Sequence, residues 1–74
     1  MIKSINSTYM EPGKHYIVTK SSIDGSFQAG DHIYMYPSGN IECSEAHGCM
    51  FAENVPEATK GMKVIWDVRY YNNK

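Results

Sequence analysis

Phe27-Gln28-Ala29-Gly30-Asp31-His32-Ile33-Tyr34-Met35-Tyr36-Pro37-Ser38-Gly39-Asn40-Ile41-Glu42-Cys43-Ser44 holds two β-prone runs separated by a dense turn signal. Pro37 and Asn40 flank a Ser-Gly pair, and such residues supply the fixed or left-handed dihedrals that a tight reversal needs. Residues 32–36 and 41–44 are therefore expected to form a β-hairpin. Side chains alternate across a strand, so Ile33 and Met35 share one face while His32, Tyr34 and Tyr36 share the other. If the aliphatic pair fills the core, the second set becomes an aromatic stripe at the surface. Gly30, just before the hairpin, is expected to take a positive φ that lets the chain reverse.

Working outward, residues 14–20 alternate with Tyr16 and Val18 on one face and His15, Ile17 and Thr19 on the other, which marks a strand. Ser21, Ser22, Asp24, Gly25 and Ser26 make a turn-rich loop between it and the hairpin. Residues 49–51 give a short strand, and residues 54–59, interrupted by Pro56, allow one helical turn. Residues 63–71 carry the longest alternation, with Val64, Trp66, Val68 and Tyr70 on one face, and are expected to be a strand throughout. Residues 1–13 fit neither period and end in Pro12-Gly13, so they form an N-terminal arm that packs loosely or reaches a neighbour. The expected class is all-β: residues 14–74 as one small five-stranded barrel, because closure removes exposed sheet edges.

Composition narrows the function. Seventy-four residues suffice for one domain, and a chain this short buries only about 60% of its unfolded surface, so self-association is expected to support it. Seven Lys and Arg against eight Asp and Glu give a net charge of −1, and Arg69 is the sole arginine. Neutralising several phosphates needs a clustered basic face, which argues against nucleic acid as a partner. No apolar run reaches the length of a membrane span and no secretory signal is visible, so a cytoplasmic setting with Cys43 and Cys49 reduced is expected. Six tyrosines, one tryptophan and two phenylalanines are many for so polar a chain, and Tyr and Trp serve binding surfaces as well as cores.

The segment Phe27-Gln28-Ala29-Gly30-Asp31-His32-Ile33 resembles the diverging turn of SH3 domains, where an apolar residue, two spacers and Gly-Asp open a central strand. Gly48-Cys49-Met50-Phe51-Ala52-Glu53-Asn54-Val55-Pro56 is similar to the SH3 segment in which a strand ends in a single helical turn. The order of elements follows this pattern over residues 14–70, and the resemblance implies an SH3-like barrel. It does not imply recognition of proline-rich peptides. Tyr16-Ile17-Val18-Thr19 stands where those domains carry an aromatic run, and the only tryptophan, Trp66, lies in the last strand. The Gly-Asp-x-Ile strand followed by a Gly-Asn hairpin also resembles small proteins of phages and prophage regions of Gram-positive bacteria.

No constellation for catalysis stands out. Cys43, His47 and Cys49 are the one cluster of soft ligands or of a thiol beside an imidazole, with His15 or His32 as a fourth metal ligand and Glu45 to orient His47. Their spacing matches no strong zinc pattern. Asp24 with Asp31, or Glu53 with Glu57, are the carboxylate pairs, and both read as solvated surface. The expected function is binding without catalysis and without a cofactor, as a phage-type accessory or host-modulating, defence-inhibiting protein that engages a protein partner and self-associates. The binding residues expected are His32, Tyr34, Tyr36, Glu42, Glu45 and Tyr71, with Glu53 and Glu57 extending an acidic rim. Two other functions are open: an oligomeric sponge for a small nucleotide or signalling molecule, and a small metal- or thiol-dependent enzyme.

Overall fold

In the computed structural model, residues 9–45 and 48–71 are described, Tyr71 through its backbone alone. Five strands form one antiparallel sheet: β1 (Lys14–Lys20), β2 (His32–Met35), β3 (Ile41–Cys43), β4 (Gly48–Met50) and β5 (Lys63–Trp66), in the spatial order β4-β3-β2-β1-β5. The all-β expectation and all five strands are there, but β4 and β5 are the two ends of the sheet, which is open rather than closed into a barrel. A 3-10 turn (Ala52–Asn54) and a single turn of helix α1 (Val55–Ala58), with Pro56 in its first turn, bridge them.

The β2–β3 hairpin closes as the turn residues require. Gly39 sits at φ +100, its N–H donates to the Tyr36 carbonyl, and the Tyr36 N–H donates to the Asn40 carbonyl. Pairing Ile33 with Cys43 and Met35 with Ile41 puts all four on one face, and all four are buried. Tyr16 and Val18 of β1 and Val64 of β5 continue that face, and Met10, Phe27, Ala58 and Met62 cover it from outside the sheet.

The lid over this core is tied by short polar bonds. Ser22 Oγ accepts from the Phe27 N–H, Asp24 accepts from the Ser22 hydroxyl and the Ser26 N–H, and Asp31 accepts from the Gln28 N–H. These Asx-type contacts turn the loop so that Phe27 points inward. Gly30 takes φ +100, and its N–H reaches the Val18 carbonyl as the chain returns to β1.

One expectation is corrected. The last strand ends at Trp66, because the Asp67 carboxylate accepts the Arg69 N–H and starts a helical turn α2 (Val68–Tyr71). Val68, expected beside Val64 and Trp66, is instead exposed. Of the N-terminal arm, residues 9–13 are described: Met10 is buried in the core, the Glu11 N–H donates to Tyr16 Oη, and the Gly13 N–H donates to the Met35 carbonyl. Residues 1–8 lie outside the described residues. Among the described residues no helix is long and apolar enough to cross a membrane.

Candidate functional site

Because the sheet buries one face, the alternate residues of β1, β2 and β3 look out from the other. The register pairs His15 with Tyr34 and Tyr34 with Glu42, and Glu42 with Cys49, so these four form one row across four strands. The stripe conditional on a buried Ile33 and Met35 is therefore real. Tyr34 meets Tyr36 edge-on at 4.7 Å between ring centroids, and His15 is tilted against Tyr34 at 4.5 Å.

Tyr70 completes the cluster from α2. Its ring stacks on His15 at 3.6 Å with 9° between the planes. Tyr70 was expected to share a strand face with Val64, Trp66 and Val68. The helical turn begun by Asp67 instead swings it back over β1. The Asp67 N–H donates to the His15 carbonyl, which fixes α2 at the end of this row.

Asp67 is buried at 1% exposure, and such a carboxylate needs compensation. Arg69 gives it: Nε bonds both carboxylate oxygens at 3.1 and 3.2 Å, and Nη2 bonds Oδ2 at 2.8 Å. Burial pushes the Asp67 carboxyl up, and the hydrogen bonds and charge of Arg69 outweigh it, holding it below its ordinary range. His15 is shifted down, chiefly by burial, with Asp67 opposing and Arg69 assisting.

The acidic members take defined partners. Tyr36 Oη donates to Glu42 Oε1 at 2.6 Å, a bond that raises the Tyr36 phenol above its usual range. Glu45 accepts the His32 N–H through Oε1 and meets His32 Nδ1 through Oε2, both at 2.7 Å. Those bonds, the backbone one first, lower its carboxyl to about 2. Together His15, His32, Tyr34, Glu42, Asp67 and Tyr70 line a depression of about 200 Å³.

Of the residues expected from the sequence, His32, Tyr34, Tyr36, Glu42 and Glu45 are thus brought together on β2 and β3 and the turn after them. Glu53 and Glu57 belong to the helical turns between β4 and β5, where Glu57 pairs with Lys60. The Tyr71 side chain lies outside the described residues. Asp67, Arg69 and Tyr70 were missed, and His15 was named only as a fourth metal ligand. His15 was legible as an outward residue of β1, but its place opposite Tyr34 depends on a register no local pattern states.

The soft-ligand cluster is separated. Cys43 is buried and Cys49 exposed, and consecutive pairs of the β3–β4 register send their side chains to opposite faces, while His47 lies outside the described residues. Among the described residues, Asp31, Cys43 and Glu45 bring one ligand atom each within 4.8 Å of one another. Their carboxylates already serve the backbone, Asp31 through Gln28 and Glu45 through His32.

Compared with protein-family models, curated proteins and solved structures, the chain matches none of them.

Proposed function

We propose that this chain is a binding module without catalytic activity, which engages a partner protein through the His15–Tyr34–Tyr36–Tyr70 face and its flanking carboxylates. The observation that carries this reading is the asymmetry of the sheet. One face is covered by Phe27, Met62, Ala58 and Met10, whereas the other gathers His15, Tyr34 and Tyr70 around a depression with no cover among the described residues, and Tyr36 meets Tyr34 beside it. Contiguous aromatic surface of this kind, edged by charge, is the usual composition of an interface centre.

The strand order, with a 3-10 turn between β4 and β5, supports an SH3-like architecture with its sheet left open. The resemblance to phage proteins extends the proposal to an accessory, host-modulating role, with self-association as a further part of it. The experiment is capture on immobilised protein, comparing wild type with Tyr34→Ala and Tyr70→Ala. A partner held by the wild type and released by both variants, with unchanged circular dichroism, supports the face; a partner held equally by all three sinks it.

The flat His15–Tyr70 stack beside the Arg69 guanidinium favours one other reading, capture of a small nucleotide or signalling molecule. A ligand that binds only the folded state stabilises it, so a rise in Tm with nucleotides, abolished by Tyr70→Ala, would favour that reading.

A further inference from the structure

We infer that the depression at Tyr34 and Glu42 receives an arginine side chain from a basic segment of the partner. The inference rests on the protein-binding reading of this face and specifies the chemistry of what binds.

Two carboxylates, Glu42 and Asp67, line the depression against one guanidinium, that of Arg69, and a third, Glu45, stands behind His32. Arg69 does not offer a free positive charge to repel a cation, because it is locked onto Asp67 through Nε and Nη2. Glu42 differs from the other two. Asp67 is buried under Arg69 and both oxygens of Glu45 are held by His32, whereas Glu42 has one oxygen, Oε1, bonded by Tyr36. Its Oε2 takes no hydrogen bond among the described residues and stays available to a donor.

The same register places Glu42 directly across from Tyr34, where cross-strand side chains stand about 5 Å apart at Cβ. A planar cation lying on the Tyr34 ring is then within reach of Glu42 Oε2. Arginine suits both contacts at once: its plane stacks on aromatic faces and its forked N–H groups match a carboxylate. His15, shifted down by burial, adds aromatic surface to the wall without adding positive charge at neutral pH.

The test is an amide NMR titration of the whole chain with acetyl-Gly-Arg-Gly-amide, beside the same peptide with citrulline or glutamate in place of arginine. The expected result is saturable shifts at His15, Tyr34, Glu42 and Tyr70 with the arginine peptide, weakening as salt rises from about 50 to about 500 mM. Glu42→Gln should weaken binding about fivefold, the scale of one exposed ion pair or cation–π contact. Glu57→Gln, an exposed carboxylate away from this face, should change nothing.

Citrulline or glutamate peptides binding these residues as tightly as arginine would overturn the inference and leave the protein-binding face standing. No saturable shift with the arginine peptide would also overturn it. Loss of partner capture in Tyr34→Ala alongside either result separates the failure of the arginine site from failure of the face itself.

Discussion

The two faces of the sheet are built from the same strands, yet they use side chains for different ends. On the inner face Tyr16, Val18, Ile41 and Val64 are each no more than 1% exposed, and even the Tyr16 hydroxyl is used, accepting the Glu11 N–H. On the outer face Tyr34 and His15 are half-buried by one another and by neighbouring rings, and Tyr70 is 54% exposed. Stability therefore resides on one side of a single layer and recognition on the other. A tyrosine on the inner side and one on the outer side should respond differently to the same truncation.

That contrast predicts its largest effect at Tyr16→Ala, which should cost about 3–5 kcal/mol through lost burial and the cavity left behind. For a domain of this size such a loss approaches the whole stability. Ile41→Val, removing one methylene at a 0% exposed site, should cost about 0.5–1.5 kcal/mol and gives a graded control by urea denaturation. Tyr34→Ala should stay within about 1 kcal/mol. Equal losses at Tyr16 and Tyr34 would erase the distinction between the faces.

Arg69→Met sharpens the comparison at the point where the faces meet. It leaves Asp67 buried without its partner, and should cost about 1–3 kcal/mol, less than for a fully buried pair because Arg69 itself is half in water. The pH dependence should also change sign. With Arg69 present the folded-state Asp67 is below its ordinary 3.8, so its contribution is complete above that value and is lost as pH falls. Without the guanidinium, burial, the largest of these effects, is opposed chiefly by the N–H of residue 69, so the carboxyl is expected to rise and the contribution to be lost as pH rises through the new value. Urea midpoints measured from pH 3 to 7 should show the wild type gaining with pH and the variant gaining less or declining.

Gly61→Ala should cost about 1–3 kcal/mol, since φ is +77 and an added Cβ would stand 2.7 Å from Ile23 Cγ1. The smallest effect is expected at Glu45→Gln. Its carboxyl is lowered from 4.5 to about 2, so the wild type should lose its contribution as pH falls between those values and the variant should lack that part of the acid slope. His15 acts in the same direction at higher pH: its lowered value makes the unfolded chain bind the proton more readily below 6.5, and acid weakens the fold there too.

Much of this architecture is written locally. β1 occupies the residues its alternation marks, and the Pro37–Asn40 signal yields the expected reversal, because both depend on dihedral preferences and period alone. The end of β5 is not read correctly from alternation. Val68 and Tyr70 continue the period-two pattern, but Asp67 satisfies its own carboxylate with the Arg69 N–H and converts the chain to a helical turn. An Asp two residues before an Arg carried that signal, and hydrophobic periodicity masked it. The site was half legible for a related reason: Tyr34, Tyr36 and Glu42 lie in one hairpin, whereas His15 and Tyr70 join them through pairings between segments far apart in sequence.

The separation of the two cysteines onto opposite faces makes the molecule its own spectroscopic probe. Cys43 is shielded by the core, so a maleimide dye added to the native protein should couple at Cys49 alone. That thiol stands across the β3–β4 ladder from Glu42, at the rim of the aromatic row. A fluorophore there would sense occupancy of the face by quenching or by polarity, with no engineered residue anywhere in the chain.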